Sequence, residues 1–159
     1  MNMPVTKRII FVCSGNICRS PMAEGLLKDA LESADIPARV ISMGTLGIFG
    51  QVASEFAVEH CRIAGVDISE HRSQGISFGV LAVGDIIVVM EEDHRSILVE
   101  RDGRLKNKTH LFSSFLPDEE ELVDIPDPIG DSFEVYGQIF SLLDSGVKRM
   151  VKLMACGML

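Results

Sequence analysis

The feature that most restricts this chain is an abrupt change of pattern at its first cysteine. Residues 8–13, RIIFVC, are apolar after the arginine; SGNIC follows with a Gly-Asn pair; then Ser20-Pro21 opens a stretch in which Met22, Leu26, Ala30 and Ala34 recur at helical spacing. An apolar run of strand length without polar alternation reads as a strand covered on both faces. Proline just inside a helix start costs nothing, because the N–H groups of the first turn have no intrahelical acceptor. A buried strand feeding a helix through a short loop is the opening of a right-handed crossover, so the rest of the chain must supply parallel partners.

Three further runs meet that need: ARVIS (38–42), DIIVVM (85–90) and THLF (109–112). Helical faces lie between and after them. Phe56, Ala57, His60, Cys61 and Ala64 form one, ended by Gly65, and Ile97, Leu98 and Arg101 mark a shorter one before DGR. Phe133, Tyr136, Phe140, Leu143, Val147, Met150 and Met154 keep a period of about 3.5 behind an Asp131-x-x-Glu134 start signal. Gly137 and Gly146 weaken that helix, so packing must hold it. The expected fold is α/β and three-layered: a four-stranded parallel sheet in order 2-1-3-4 with helices on both faces. No repeat, linker or composition break divides residues 1–159, and a chain 47% hydrophobic can build one core, so a single domain is expected.

The formal charge of −8 argues against a nucleic-acid binder, whose affinity would come from lysine and arginine on phosphates. Residues 1–8 offer no apolar signal core, and no stretch approaches the roughly 20 apolar residues that span a bilayer. A cytoplasmic protein without membrane partners is expected. Cys13, Cys18, Cys61 and Cys156 lack paired C-x-x-C spacing, so free thiols are expected, with neither a zinc site nor a disulfide framework.

In a sheet of this kind ligands bind beyond the carboxyl ends of the strands, and the turn after the first strand carries Cys13 to Ser20. Such a loop aims backbone N–H groups and the positive end of a helix dipole at one point, which attracts an anion. Gly15 and Asn16 suit the turn, asparagine being among the residues that tolerate left-handed angles. Arg19 adds a planar charged fork able to hold two oxygens at once. Ser14, Gly15, Asn16, Ile17, Cys18, Arg19 and Ser20 are therefore the expected phosphate cradle, and its N–H groups favour the thiolate of Cys13, a candidate nucleophile. Ser20 has two open roles, capping the helix or donating its hydroxyl to the Cys13 sulfur. A nucleotide P-loop does not fit, because no Gly-Lys-Ser/Thr follows, and GTLGIFG (44–50) is not G-x-G-x-x-G.

VCSGNICRSPMAEG (12–25) resembles the signature loop of the low-molecular-weight protein-tyrosine phosphatases, and the resemblance continues through ISMGT (41–45), DISEHRSQ (67–74), DIIVVMEEDH (85–94) and DIPDP (124–128). It implies a metal-independent, cofactor-free phosphatase acting on a phosphotyrosine-containing protein, as a monomer or weak dimer. Expulsion of a phenol calls for a general acid, and Asp127 matches the family's Asp-Pro acid, its loop stiffened by Pro126 and Pro128. Asp124 and Asp131 read as turn and cap residues. The resemblance further implies that Asn16, Ser42 and His71, with Ser20, hold the loop in shape; His60, His94 and His110 gain no such support and read as ordinary.

Cys18 is either a small buried thiol or a resolving partner for oxidised Cys13, and the resemblance favours the second. The family's aromatic substrate walls are incomplete here. Ile129 and Gly130 replace the usual tyrosines after Asp127-Pro128, leaving a weaker wall or one rebuilt from Phe133 or Tyr136, while Phe49, Leu46 or Ile48 would form the other side. Phe49 and Ile129 are the expected rim. Ile17 offers apolar contact suited to a phenyl ring more than a guanidinium, so phosphotyrosine is expected over phosphoarginine. The acidic run PDEEELVD (117–124) reads as a solvated face or a steering patch. Two rivals are weighed: a thiol-coupled arsenate reductase, whose relay cysteines SFGVLAVGDIIVVM lacks, and a phosphoprotein-binding module without turnover, which the presence of Cys13 and Asp127 disfavours.

Overall fold

The computed structural model describes residues 5–159; the first four residues, part of the segment read as lacking a signal core, lie outside the described residues. Four strands, β1 (Lys7–Cys13), β2 (Ala38–Gly44), β3 (Ile86–Val89) and β4 (Thr109–Leu111), form a parallel sheet in the order β2-β1-β3-β4. Five α-helices accompany it: α1 (Arg19–Ser33), α2 (Glu55–Ile63), α3 (Phe78–Val83), α4 (Glu92–Arg101) and α5 (Phe133–Ala155). The expected strand order and three layers are those observed.

Strand alternation sorts the core into two faces. Ile9, Phe11 and Cys13 of β1 join Val40, Val88 and residues of α1, α2 and α5 in the larger cluster, while Ile10, Val12 and Ile87 meet Leu81 of α3 and Leu98 of α4 on the other side. The same parity puts Cys13 and Ser42 toward α1. The chain leaves β1 for β2 on one side and returns to β3 on the other, so the crevice at the strand ends gathers the loop after β1 and the segment after β3.

Several boundaries differ from the sequence reading. Helix α3 went unread because Phe78–Val83 is a short apolar stretch with a single buried side chain, Leu81, and no helical stripe. Its start is set by Ser77, whose hydroxyl accepts the Val80 N–H. Phe112 leaves β4 for a turn of 3-10 helix, and Ser132, not Asp131, caps α5 by accepting the Val135 N–H. Gly65 ends α2 with φ +82° as expected. Gly146 has a packing reason: a Cβ there would lie 2.3 Å from the Phe112 ring, so α5 approaches the core only without one. No helix among the described residues is long and apolar enough to cross a membrane.

Candidate active site

Asn16 organises the loop after β1. Its φ of +57° lies in the left-handed region, where the loop reverses toward α1, and the left-handed burden falls on it rather than on Gly15. Asparagine is wholly buried here, and every polar group it carries is bound. Its N–H donates to Cys13 Sγ (3.3 Å), its carbonyl accepts the Nε2–H of His71 (2.7 Å), and its Oδ1 accepts the Gln74 N–H (2.9 Å). Its Nδ2 donates to Ser20 Oγ (2.9 Å) and Ser42 Oγ (2.8 Å). Ser42 in turn donates to Glu24. Because Ser20 Oγ accepts from Asn16, its own hydrogen is free for Cys13 Sγ at 2.9 Å. The capping role is not observed: Cys18 occupies the N-cap position of α1 and Ser20 lies inside the helix.

Gly44 belongs to this arrangement and was not singled out from the sequence. It stands opposite Cys13 in the β1–β2 register, and a Cβ there would meet the Ser14 carbonyl at 2.6 Å and the Asn16 nitrogen at 2.9 Å. The loop backbone therefore lies directly on the edge of β2.

Arg19 is 1% exposed. Its Nη1 donates to the Ile125 carbonyl (2.7 Å) and pairs with the Glu91 carboxylate, while Nη2 reaches Asp127 Oδ2 at 3.3 Å and Ser14 Oγ at 3.4 Å. Its buried Nε–H has no acceptor among the described residues. The first turn of α1 carries no acidic side chain to offset its dipole. A buried guanidinium with a spare donor beside a helix N-terminus that carries no acidic side chain in its first turn has the chemistry to hold an oxyanion.

These groups surround a cavity of about 150 Å³ lined by Cys13, Ser14, Gly15, Ile17, Cys18, Arg19, Leu46, Ile48, Asp127 and Ile129. Asp127 hangs at its mouth, 35% exposed, with Oδ1 accepting the Ile129 N–H (3.1 Å). Asp124 instead accepts the Glu92 N–H at the start of α4, the cap role read for it. Phe49 is outside the lining. It is 71% exposed with its ring edge over Gly75, so Leu46 and Ile48 form that wall in its place. Nor is the opposite wall rebuilt from aromatics, for Phe133 stacks on His60 (4.0 Å between centroids) and Tyr136 is buried. Tyr136 lies behind the loop, its hydroxyl 3.2 Å from Cys18 Sγ, with Ser54 Oγ at 3.3 Å. Burial holds the Cys18 thiol above its usual range despite these two contacts.

The reading of His94 as ordinary is wrong. It is 2% exposed, with Nε2 2.9 Å from Ser14 Oγ and Nδ1 3.1 Å from the Glu91 nitrogen. Burial pushes its pKa down, with Arg19 adding to the effect against the pull of Glu91, Asp124 and Asp93. Glu91 and His94 were missed because they carry no local signal at the loop. The order β2-β1-β3 alone brings the end of β3 beside the end of β1.

The family model for low molecular weight phosphotyrosine protein phosphatase matches residues 8–156. A probable low molecular weight protein-tyrosine-phosphatase, EpsP, of Ralstonia nicotianae is 36% identical, the match covering 91% of this chain and 94% of that protein. A protein-arginine-phosphatase of Bacillus subtilis is 29% identical over the same shares. The crystal structure of the low molecular weight protein tyrosine phosphatase from T. tengcongensis superposes with a TM-score of 0.85 at 30% identity, covering 92% of this chain and 99% of that one. With the loop geometry, the strand order and these likenesses in agreement, the chain belongs to the low molecular weight phosphotyrosine protein phosphatase family.

Proposed function

We propose that this chain, with residues 1–159 acting as one catalytic domain, hydrolyses phosphate monoesters of protein tyrosines through a cysteinyl-phosphate intermediate. The carrying observation is that Cys13, Asp127 and the buried Arg19, with its unpartnered Nε–H, all line one small cavity. Cys13 Sγ attacks phosphorus in line, the P–O bond to the phenol breaks, and Asp127 delivers its proton to the leaving oxygen. Water then attacks the cysteinyl phosphate; Asp127, now ionised, takes a proton from it, and the S–P bond breaks to release inorganic phosphate. Arg19 and the N–H groups of Ser14 to Ser20 hold the equatorial oxygens in both steps, which supplies the positive charge that a metal ion supplies elsewhere. Asn16, Ser20, Ser42 and His71 keep those donors in place.

Ile17, Leu46, Ile48 and Ile129 favour an aromatic ring between aliphatic walls. A phosphoguanidinium needs acceptors along its length, and Asp127 is the single carboxylate of the lining. Activity on phosphoarginine is the second reading, favoured by the Bacillus relative's name. Peptides carrying phosphotyrosine, phosphoserine or phosphoarginine, assayed with Cys13→Ser as control, separate the two: phosphotyrosine is expected to be cleaved fastest, and faster release from phosphoarginine refutes the assignment.

Cys18 shares the cavity with Cys13 and is proposed as its resolving partner. Peroxide converts the Cys13 thiolate to a sulfenic acid, and the Cys18 sulfur displaces hydroxide, which leaves as water, to give the disulfide. Inactivation that dithiothreitol reverses, and that Cys18→Ser makes permanent, tests this. Four free thiols support a cytoplasmic site of action.

A further inference from the structure

We infer that His94 is a positioning residue for Arg19: with Glu91 and Ser14 it closes a hydrogen-bonded ring that fixes the plane of the guanidinium. Donor logic sets the direction of every link. The Glu91 backbone N–H can only donate, so His94 Nδ1 accepts it at 3.1 Å. A neutral imidazole that accepts at Nδ1 carries its hydrogen on Nε2, and that hydrogen goes to Ser14 Oγ at 2.9 Å. Arg19 Nη2 donates to the same oxygen at 3.4 Å, and the Glu91 carboxylate on Nη1 completes the circuit. Ser14 on Nη2, with Glu91 and the Ile125 carbonyl on Nη1, thus holds both terminal nitrogens, and rotation about the Cδ–Nε bond is resisted. That rotation decides whether the unpartnered Nε–H faces an oxyanion. His94 is buried, so this link of the ring is shielded from bulk solvent.

A protonated His94 cannot accept the Glu91 N–H, so the ring is closed only in the neutral state. Arg19 from α1 disfavours its protonation, while Glu91 and Asp93 beside it and Asp124 from the loop before α5 favour it; burial outweighs them and keeps the imidazole neutral at pH 7. The ring is therefore intact at and above neutral pH and opens as pH falls through this lowered pKa.

The inference uses the phosphatase reading only for its rate readout, because anion binding by Arg19 tests it without turnover. Inorganic sulfate, a dianion throughout pH 5–8, is titrated into the wild type, Ser14→Ala, His94→Ala, the double variant and His94→Gln. Glutamine at this helix position can accept the Glu91 N–H and donate to Ser14, and it does not titrate. His94→Ala and Ser14→Ala are each expected to weaken sulfate binding about tenfold at pH 7, the double variant no further than about threefold beyond either. His94→Gln is expected within about threefold of the wild type, without the acid-side loss of affinity expected of the wild type. Unchanged binding in His94→Ala, additive losses in the double variant, or a His94→Gln protein that keeps the acid-side loss overturns the ring. If His94→Ala fails to fold, Ser14→Ala and His94→Gln decide. kcat/KM on an aryl phosphate is expected to follow the same factors. A wild type that binds sulfate but cleaves no aryl phosphate sinks the phosphatase reading and leaves the ring standing on its sulfate data.

Discussion

Gly44→Ala is the sharpest probe of how the loop is held. The added Cβ would sit 2.6 Å from the Ser14 carbonyl oxygen, 2.9 Å from the Asn16 nitrogen and 3.0 Å from the Asn16 Cβ. Reaching an ordinary contact of 3.4 Å requires the Ser14 carbonyl to retreat by about 0.8 Å. None of these atoms lies at the free end of a flexible side chain. The Ser14 carbonyl is also tied to the Leu46 N–H at 2.9 Å and the Asn16 N–H to Cys13 Sγ at 3.3 Å, so the displacement reaches the sulfur. Overpacking of this kind costs about 1–3 kcal/mol of stability, whereas mispositioning one oxyanion donor costs roughly 100- to 1,000-fold in rate. The expected variant is thus folded, modestly less stable to urea, and slower by about two orders of magnitude in kcat/KM on an aryl phosphate. Gly103→Ala, where a Cβ meets nothing within 4 Å, serves as the control and is expected to match the wild type. A Gly44→Ala protein with kcat/KM within about threefold of wild type would refute the claim that this close approach sets the loop geometry.

Asp127→Ala is expected to slow a phenyl phosphate by about 100-fold or more and a nitrophenyl phosphate far less, since the better leaving group needs less protonation; equal losses on both substrates remove Asp127 from the proton-transfer role. Gly146→Ala gains about 1 kcal/mol of helix propensity but drives a Cβ to 2.3 Å from the buried Phe112 ring, an overpacking that costs about 1–3 kcal/mol, so a net loss of up to about 2 kcal/mol is expected in urea unfolding. The thiol of Cys61, wholly buried in α2, is pushed up to about 12 by burial alone. Its contribution is fully present below the unfolded thiol's pKa, near 9, and is lost as pH rises toward about 12. In that window each pH unit costs the wild type about 1.4 kcal/mol that Cys61→Ala does not lose, and parallel stability profiles for the two proteins contradict this.

The network behind the loop also explains why its members tolerate little exchange. Asn16 uses its N–H, its carbonyl and both ends of its amide, so an aspartate there would lose the two donors that reach Ser20 and Ser42. The chain of contacts runs from Cys13 through Ser20, Asn16 and Ser42 to Glu24, which also pairs with Lys28 at 2.6 Å on the surface of α1. Buried polar sets of this kind specify one loop shape, because each unpaired member costs its full desolvation.

The sequence alone determined the β-loop-α unit at Cys13, the parallel sheet and the period of α5, because each rests on local information: apolar periodicity, turn chemistry or a short motif; Asp127 was joined to Cys13 and Arg19 only through the family resemblance. Asn16 was readable as a left-handed residue for the same reason. What only the tertiary structure decided depends on approach distances between segments far apart in the chain. Gly44 and Gly146 are required by what lies against them, and no local pattern marks that. Phe49 was placed on the rim by residue type, but the path of the loop after β2 turns its ring toward Gly75 and offers Leu46 and Ile48 to the cavity. Glu91 and His94 reach Arg19 because the sheet order sets β3 beside β1, so the end of one strand becomes the wall of the site built at the end of the other.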